Sequence, residues 1–584
     1  KEHDESRDLI LMASRRLSHE APNQASFHAE EEDGFRSRSC ISLPTCCLLH
    51  RRGICAAVMI ATLVIVLIMG IQIDPDGPYV PPGSHTENLG GKKPIDIRKF
   101  ERIKDRLLER GISHASALDN KYSPQNRALT WIVRDDARQL DVPLEDESVT
   151  GEDIDRERAL FNRYALAVFW YQTTDLQIVQ QSMTGKAVLQ PFDEPFDPLE
   201  LTEEDIRWKA SAGWMSNNGI CTWHGVKCHP HDVYGEEYNG DFYVMLLNLT
   251  KSNVHGILPR EVFTGLNKLK ALDLSANELE GTIGKELGGL DELQDLFLYD
   301  NDFSGYLPPE IGKCVNMFNL YINDNKFTGN LPPEIGNMAQ LRGASLFNNT
   351  FSGPIPTTVG NLKKAIALYL DENKFNGGIP TQIGEMESLI DLRLRDNDLT
   401  GTIPTELGNL NNIETIYLDT NEKITGTIPV ELSNLVKMTE LHLYDMDLNG
   451  PLPAELGYLQ GLVYLYLDGN ELTGSIPDDW GEFHSLEQFF LTGNNLSGSL
   501  PITLRGLQSL EMFRAAGNDL TGTIPSDLGK LTKLEYIYLE GNDFQGDIPK
   551  ELGELTKLKV MHLHTTKLSG EMPPEICNLK EKFA

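Results

Sequence analysis

A glycine recurs every 24 or 25 residues from Gly256 to Gly570, and this period constrains the fold more than any other feature. The glycines stand at positions 256, 281, 305, 329, 353, 377, 401, 426, 450, 474, 498, 522, 546 and 570. Each lies in the frame L-x-x-L-x-L-x-x-N-x-L-x-G-x-I-P, of which residues 462–477, LVYLYLDGNELTGSIP, are one copy. This period and leucine spacing predict a solenoid of stacked units, an architecture that usually serves as a binding surface.

The chain is strongly acidic, with a formal net charge of −34 at pH 7. Nearly all of that charge lies beyond residue 53, because residues 1–53 carry almost equal numbers of basic and acidic side chains. A surface this acidic repels nucleic acids and anionic lipids. The composition therefore excludes a nucleic-acid-binding protein.

One apolar stretch, residues 54–73, contains no charged side chain. Its length at helical rise matches the roughly 30 Å hydrocarbon core of a bilayer. Arg51 and Arg52 precede it, whereas Asp74 and Asp76 follow it. The positive-inside rule then predicts a single-pass type II signal anchor, with a cytosolic N-terminus and extracellular repeats at the plasma membrane. Its length and flanks argue against the alternatives, a buried core helix and a cleaved signal peptide.

Cysteines and glycosylation motifs agree with this topology. Cys46 and Cys47 lie near the cytosolic face and are candidates for palmitoylation, although plain reduced thiols explain them equally well. Three N-glycosylation sequons follow the anchor, at Asn248, Asn348 and Asn495. They permit an extracellular location without establishing it, because such sequons arise by chance in asparagine-rich repeats.

Composition divides the chain into five segments, of which residues 54–73 are the anchor. Residues 1–53 are polar, mixed in charge and poor in aromatic residues, which predicts a disordered tail. Residues 74–94 are rich in proline and glycine and predict a semi-extended stalk. Residues 95–239 form a helical N-terminal cap region, and residues 240–584 form the solenoid.

Apolar periodicity predicts three helices in the cap region. They are Ile95–Arg110, a helix that opens at Ser123 and Pro124, and Asp155–Thr173. Ser123 is the expected N-cap and Pro124 the expected first residue of the second helix. Because a solenoid exposes the core of its first unit, we expect these helices to cover that end.

Cys221 and Cys228 close the cap region in the run CTWHGVKC. Their spacing allows a disulfide across a tight loop. It also allows a zinc site that includes His224, His229 and His231. An oxidising exterior favours the disulfide.

The repeat L-x-x-N-x-L-x-G-x-I-P, continued by x-E-L-G-x-L, closely resembles the plant-type leucine-rich repeat (LRR). The run Cys-x-Trp-x-Gly-Val-x-Cys resembles the N-terminal cap of plant receptor-like proteins and receptor kinases. With its N-terminal tail, single anchor and helical block, the chain is similar to the membrane-anchored LRR receptor-like proteins of diatoms. The resemblance covers roughly residues 95–584. It implies an α/β solenoid, a right-handed superhelix of about 14 repeats of 24 residues with a second short strand at G-x-I-P, an N-terminal helical cap and one transmembrane helix.

The chain departs from the plant receptor kinases in the position of its anchor. Their anchor follows the repeats and leads to a cytosolic kinase, whereas here the anchor precedes the repeats. No kinase signature occurs in a usable context, so signalling requires a co-receptor or kinase partner. In relatives a paired-cysteine cap usually follows the repeats. We therefore expect the partner of Cys577 to lie beyond Ala584 or in another chain.

Three conserved features of the frame have structural explanations. The leucines of L-x-L point into the core, and the residues between them face outward on a short parallel strand. The asparagine, as in Asn277 or Asn542, is predicted to bond backbone groups within and between units. The glycine allows a backbone conformation or a close approach that a Cβ would obstruct. Met446 and Thr566 replace the asparagine in two units, where we expect weaker turns.

The outward residue four positions before each asparagine defines a candidate ligand-binding row on the concave face. Exposed aromatic side chains in a row favour contact with a partner, although tyrosine and phenylalanine also suit strands and stack on one another. Flanking carboxylates such as Asp371 and Asp419 suit a peptide with basic residues, and the rings suit a glycan. The predicted ligand-binding residues are Phe297, Tyr321, Tyr369, Arg393, Tyr417, Tyr466, Phe490 and Tyr538.

These features predict a cell-surface receptor-like protein that binds an extracellular peptide, protein or glycan and signals through partners. The alternative is an adhesion or cell-wall-attachment protein. Catalysis is not expected, although Glu440, His442 and Asp445 could perform acid–base chemistry and His562 with His564 could bind a metal. Neither set has a metal-ligand spacing, and a solenoid face offers no cleft that excludes water. We therefore expect no enzyme activity, no cofactor and no metal site.

Overall fold

The computed structural model describes residues 95–121, 123–136, 151–183, 214–215, 220–228 and 243–579. In the helix over 151–183, the side chains of residues 157–173 are described. The predicted tail, anchor and stalk lie outside the described residues, as do Cys46 and Cys47. Within the described part of the chain, no helix combines the length and the apolar character needed to cross a membrane.

Four α-helices are described before the repeats, a fifth lies in the first unit and a sixth follows the last unit. Those described are α1 (Ile97–Glu109), α2 (Ala115–Asp119), α3 (Pro124–Arg134), α4 (Gly151–Met183), α5 (Glu261–Gly265) and α6 (Pro574–Cys577). The predicted cap of α3 is present, since the Ser123 side chain accepts a hydrogen bond from the backbone N–H of Asn126 at 3.0 Å. Helix α4 is longer than the predicted segment and has the predicted apolar side chains, Leu160 to Phe169, buried.

Short strands alternate along the repeats. They are β1 (Val226–Cys228), β2 (Val244–Asn248), β3 (His255–Ile257), β4 (Ala271–Asp273), β5 (Glu278–Gly281), β6 (Asp295–Phe297), β7 (Asp302–Gly305), β8 (Asn319–Tyr321), β9 (Lys326–Gly329), β10 (Gly343–Ser345), β11 (Thr350–Gly353), β12 (Ala367–Tyr369), β13 (Lys374–Gly378), β14 (Asp391–Arg393), β15 (Asp398–Thr402), β16 (Thr415–Tyr417), β17 (Lys423–Gly426), β18 (Glu440–His442), β19 (Asp447–Pro451), β20 (Tyr464–Tyr466), β21 (Glu471–Gly474), β22 (Gln488–Phe490), β23 (Asn495–Ser499), β24 (Met512–Arg514), β25 (Asp519–Thr521), β26 (Tyr536–Tyr538), β27 (Gln545–Asp547), β28 (Val560–His562) and β29 (Lys567–Ser569).

Two rows of strands run along the solenoid. The main sheet has the order β1-β2-β4 and then every even-numbered strand to β28, with β1 antiparallel to β2 and the later strands parallel. The odd-numbered strands from β3 to β25 form a second sheet, and β27 pairs with β29. In most units the strand of the second row ends before an Ile-Pro or Leu-Pro dipeptide, so it lies slightly earlier than the resemblance implied. The chain thus forms a stack of repeated units.

A short 3-10 helix completes most units and begins after the proline. Those described are Ile220–Thr222, before the repeats, and Lys285–Gly289, Pro309–Lys313, Pro333–Asn337, Thr357–Asn361, Thr381–Glu385, Thr405–Asn409, Val430–Asn434, Ala454–Tyr458, Asp478–Glu482, Ile502–Gly506, Ser526–Lys530 and Lys550–Glu554.

A ladder of asparagine side chains joins each unit to the one before it. Asn421, which is fully buried, donates from Nδ2 to the carbonyls of Leu394 in the preceding unit and of Leu418 in its own, at 3.0 and 2.8 Å. Its Oδ1 accepts the backbone N–H of Leu399 at 3.1 Å. The same contacts recur at the other ladder positions, which confirms the predicted structural role. The ladder consists of Asn277, Asn301, Asn325, Asn349, Asn373, Asn397, Asn421, Asn470, Asn494, Asn518 and Asn542.

At the two ladder positions that lack asparagine, different hydrogen bonds replace those of the amide. Met446 is buried and offers no hydrogen bond; the N–H of Ile424 in the preceding unit bonds the carbonyl of Asn421 instead. At Thr566 the hydroxyl donates to the Leu563 carbonyl at 2.8 Å. Both positions therefore have fewer side-chain ties to the preceding unit.

The repeat glycines adopt a left-handed backbone. Their φ values run from +75° to +89° over all fourteen positions. At Gly401 an added Cβ would meet no atom within 4 Å, yet φ is +83°, so the conformation alone requires glycine there. At Gly329 a Cβ would also collide with the Tyr306 ring.

Apolar side chains fill the interior continuously from the helices through the repeats. Four of them, Phe303, Phe327, Phe351 and Phe375, stack in register with ring centroids 5.9–6.2 Å apart. This stack repeats the unit spacing inside the core, and offset aromatic pairs of this kind contribute beyond the area that they bury.

The N-terminal helices pack against the first units. Ser113 bonds the Tyr164 hydroxyl at 2.9 Å and donates to the buried carboxylate of Glu261 in α5. The Thr264 hydroxyl donates to the Ile112 carbonyl at 2.9 Å. These contacts join the helical region to the start of the solenoid.

A buried ion pair lies in the helical region. The fully buried guanidinium of Arg163 donates from Nε to Asp136, also fully buried, at 2.8 Å. The same guanidinium lies 4.9 Å from the ring centre of Trp131 and 5.2 Å from that of Trp223. Charge pairing and cation–π contacts together compensate for the burial of this charge.

Replacing Asn421 with alanine tests the ladder. The change leaves buried backbone carbonyls and an N–H without partners, so we expect the free energy of unfolding to fall by about 3 kcal/mol. Chemical denaturation followed by circular dichroism measures the change. Asn376→Ala, at an exposed position of β13, is the matched control and should have little effect. Equal losses for both variants would contradict the structural role.

Candidate functional site

The candidate ligand-binding residues form one row on the main sheet. Each stands at the last position of an even-numbered strand. Strand register places them side by side, as for Tyr369 beside Arg393 and Arg393 beside Tyr417. Ser345, His442, Arg514 and His562 complete the row between or after them. The structure therefore brings all eight predicted residues together in this row, which we call the aromatic row.

The rings of the aromatic row are less exposed than the sequence analysis expected. Tyr369 is only 7% exposed, and its tyrosine and phenylalanine neighbours are half-buried. Parallel strands place successive rings about 4.8 Å apart, and rings at that spacing cover one another. Phe297 packs on Tyr321 with centroids 5.2 Å apart, and Tyr466 stacks on Phe490 at 4.5 Å.

The tyrosine hydroxyls of the row are held by the next unit. Tyr369 donates to Asp391 at 2.8 Å, and Tyr466 donates to Gln488 at 2.7 Å. Tyr417 donates to Glu440 in the same way. Asp391 and Gln488 were not among the predicted residues, and Glu440 was predicted only as a candidate for acid–base chemistry. Each acceptor lies 22 or 23 residues after its tyrosine, so a tyrosine followed at that spacing by Asp, Glu or Gln is the signal that would have found them.

Arg393 forms the charged centre of the row. Its guanidinium lies 4.6 Å from the Tyr369 ring centre and 5.1 Å from that of Tyr417, so it is sandwiched between two rings. It also donates to Asp391, with Nη2 at 2.9 Å from Oδ2. Asp391 further accepts the Thr415 hydroxyl at 2.6 Å. Arg393 is thus fixed in place by stacking and by an ion pair.

His442 is enclosed by the row. Its ring centroid lies 4.1 Å from that of Tyr417 and 4.4 Å from that of Tyr466. Burial, with smaller contributions from the charges of Arg395 and Arg393, lowers the pKa of His442 to about 3, which keeps the imidazole neutral. Its Nε2 lies 3.7 Å from Glu440, too far for a hydrogen bond. This pair therefore lacks the hydrogen-bonded geometry of an acid–base pair.

A second sandwich lies further along the row. The Arg514 guanidinium lies 4.5 Å from the Phe490 ring centre and 5.2 Å from that of Tyr538. Tyr538 in turn meets His562 edge to face, with centroids 5.0 Å apart. The row from Tyr369 to His562 is therefore a continuous stack of rings and guanidinium planes.

Acidic side chains flank the aromatic row two residues later in some units, and we call Asp371, Asp419 and Asp468 the acidic row. Asp371 and Asp419 are buried, and Asp468 is partly buried. Burial is the main cause that raises the pKa of each carboxyl to about 6. The charges of Arg393 and Arg395 oppose this shift at Asp371, and the Tyr444 hydroxyl and then the charge of Arg395 oppose it at Asp419. At Asp468 the opposing effect is the Thr492 N–H, which donates to the carboxylate at 2.7 Å.

This face of the main sheet combines three kinds of side chain. Ring faces, guanidinium planes and carboxylates stand in a fixed order along the main sheet. Aromatic faces accept apolar groups, sugar rings and cations, whereas the acidic row attracts basic groups.

Two other groups of predicted residues are also located. Cys221 and Cys228 are joined as a disulfide, with Cα atoms 5.5 Å apart, so the disulfide interpretation is confirmed over zinc. The three sequon asparagines, Asn248, Asn348 and Asn495, have exposed side chains.

The raised pKa of Asp419 predicts that the stability of the fold depends on pH, and Asp419→Asn should remove this contribution. Because the folded-state pKa of about 6 exceeds the unfolded value of about 3.9, the folded state holds more protons between these values. The stabilisation from Asp419 is thus present at low pH and lost as pH rises through this window. We expect Asp419→Asn to be more stable than the wild type at pH 7.5 by about 2 kcal/mol and similar to it at pH 4.

Denaturant titrations at the two pH values measure this difference. Asp302→Asn, at an exposed aspartate of β7, is the matched control. A gain for Asp419→Asn that is the same at both pH values would contradict burial of a charge as the cause.

Comparison with known proteins supports the assignment of the repeats. The family described as Leucine rich repeat matches residues 243–303, and a second leucine-rich-repeat profile matches residues 316–338, 388–410, 461–483 and 533–555. A search of curated proteins finds no matching sequence.

Solved structures of three leucine-rich-repeat proteins are similar to the chain. The crystal structure of PEPR1 with AtPEP1 is 31% identical over 62% of this chain and 56% of that chain, with a TM-score of 0.51. The plant peptide hormone receptor RGFR1 with RGF2 is 31% identical over 62% and 70%, with a TM-score of 0.47. The protein LIC12759 of Leptospira interrogans is 30% identical over 57% and 87%, with a TM-score of 0.47.

This chain spans little more than half of the PEPR1 chain, so the likeness concerns the repeats. The stacked units, the asparagine ladder and the family matches agree on one assignment. The chain carries leucine-rich repeats, and its repeat region is similar to the ectodomains of plant LRR receptors.

Proposed function

We propose that this chain is a single-pass cell-surface LRR receptor-like protein that binds an extracellular peptide on its aromatic row and signals through membrane partners. The observation that carries the proposal is the aromatic row itself. It combines stacked rings, two sandwiched guanidinium groups and an adjacent acidic row on one sheet.

The row is rigid before any ligand arrives. Tyr369, Tyr417 and Tyr466 each donate their hydroxyl to a neighbouring unit, and Arg393 is fixed by Asp391. Side chains that are already ordered lose little conformational entropy when a partner binds. A flat, preorganised strip of this kind suits an extended peptide.

The charge of the site indicates the chemistry of that peptide. Asp371, Asp419 and Asp468 line one side of the row, and the chain has a net charge of −34. Long-range attraction then favours a basic partner. Apolar side chains of the peptide would cover the exposed edges of Tyr466 and Phe490.

The similar solved structure fits this proposal. PEPR1 was crystallised with AtPEP1, and its repeats are 31% identical to those of this chain. The proposal also includes a co-receptor and a kinase partner. A glycan or a protein is the alternative to a peptide as the ligand. In the proposed receptor, about 14 units form a right-handed superhelix.

The helical region serves as the cap of the solenoid in this proposal. Its contacts through Ser113 and Glu261 cover the first units, whose apolar interior would otherwise meet solvent. The apolar segment 54–73 before it would be the type II anchor at the plasma membrane.

Peptide capture tests the proposed function. The probe is a synthetic library of 12-residue peptides enriched in lysine and arginine, presented to the full chain. We expect selected peptides to bind the wild type and to lose at least tenfold in affinity against the double variant Tyr466→Ala with Phe490→Ala. The loss follows from removal of the stacked pair that the ligand covers.

A matched control uses two tyrosines that lie off the main sheet. Tyr306 and Tyr458 are 71% and 66% exposed, so Tyr306→Ala with Tyr458→Ala removes two exposed rings elsewhere. Binding that weakens equally in both double variants would contradict a site on the aromatic row. A library that yields no binding peptide would contradict the peptide class.

Glycosidase treatment tests the topology independently. The full chain is expressed in a eukaryotic cell, and the sequon asparagines 248, 348 and 495 are each changed to Gln. We expect the glycosidase to reduce the apparent mass of the wild type, and each substitution to remove one step, because these side chains are exposed. Repeats that stay unglycosylated and are protected from protease on intact cells would contradict an extracellular location.

A further inference from the structure

Three potential metal ligands converge at one place on the main sheet. They are Glu540 in one unit and His562 and His564 in the next. One ligand atom from each residue lies within 4.8 Å of the others. Of the described residues, this is the one group of at least three His, Cys, Asp or Glu side chains that meets this condition.

Backbone hydrogen bonds between the two units fix this arrangement. The Leu539 N–H donates to the His562 carbonyl at 3.0 Å, and the Gly541 N–H donates to the His564 carbonyl at 3.2 Å. These two backbone hydrogen bonds hold Glu540 next to both histidines of the following unit. Since alternate residues of a strand face the same side, all three side chains project from the same face.

The side chains are available to a ligand. His562 and His564 are exposed, and the side chain of Glu540 is 22% exposed. Glu540 Oε1 lies 3.8 Å from His562 Nδ1, beyond a hydrogen bond, and Glu540 Oε2 is buried without a partner. A carboxylate oxygen in that position is compensated when a cation binds beside it.

We propose that Glu540, His562 and His564 bind a divalent transition-metal ion of the zinc type. Two imidazole nitrogens and one carboxylate oxygen form a donor set that suits Zn²⁺, whereas Ca²⁺ and Mg²⁺ prefer oxygen ligands. A four-coordinate Zn²⁺ with bonds of about 2.0–2.1 Å needs donors about 3.4 Å apart. The ligand atoms lie within 4.8 Å of one another, so the side chains would have to move closer together to hold the ion at that spacing.

Three protein ligands leave a coordination position open on the face that carries the aromatic row. The ion would therefore offer an attachment point for a donor atom from solvent or from a bound partner. The site lies at the end of that row, beside Tyr538, which packs against His562. It does not depend on the proposed peptide-binding function.

Isothermal titration of the full chain with Zn²⁺ tests the site. We expect the double variant His562→Gln with His564→Gln to lose one bound Zn²⁺ per chain, and Glu540→Gln to weaken that site at least tenfold. His484→Gln is the matched control, because His484 lies beside Glu482 at 3.5 Å in a pair with no third ligand. Ca²⁺ should not compete for the site.

Two results would overturn the proposal. One is an unchanged Zn²⁺ stoichiometry and affinity in the double variant. The other is equal weakening by the double variant and by His484→Gln, which would indicate non-specific binding by surface histidines. Circular dichroism of each variant confirms that the repeats remain folded. Cobalt(II) substitution supplies a spectroscopic check, since a site with two imidazoles and a carboxylate gives visible absorption that the variants should lose.

Discussion

The need to satisfy every buried backbone group determines how the units of this protein stack. Each turn buries carbonyls and N–H groups that no strand or helix pairs, and an unpaired group of that kind costs about 1–3 kcal/mol. The ladder asparagines meet this requirement with one amide that reaches into two units at once. The same ladder keeps the strands in register, and the register aligns the rings, the guanidinium groups and the carboxylates of the main sheet.

The aromatic row shows how a structural and a recognition surface are combined. Stacking between units buries much of each ring, so the row stabilises the solenoid before it contacts anything. What remains exposed is a strip of ring edges and charged planes with little freedom to move. A ligand on this strip therefore gains contacts without first ordering the receptor.

The period of the glycines and leucines was enough to predict the stacked units, the inward leucines, the role of the asparagines and the position of the aromatic row. These features depend on local spacing, which a sequence displays directly. The burial of Tyr369 and the role of Asp391 depend on contacts between units, which a residue-by-residue interpretation of one unit does not contain. For the same reason, the proposed metal site of Glu540, His562 and His564 was not predicted from the sequence. Glu540 comes close to the two histidines only through the stacking of two units. The anchor and the tail stay predictions, because they lie outside the described residues.

Met446 interrupts the asparagine ladder at one interface between units. Because units contact only their neighbours, the cooperativity of such an array passes through each interface in turn. The interface before Met446 has no side-chain amide hydrogen bond, although the backbone pairing of β16 with β18 continues across it. The Tyr417 and His442 rings face each other across this boundary. A ligand that covers both rings would add contacts across the one interface between Asn277 and Asn542 that lacks a ladder asparagine.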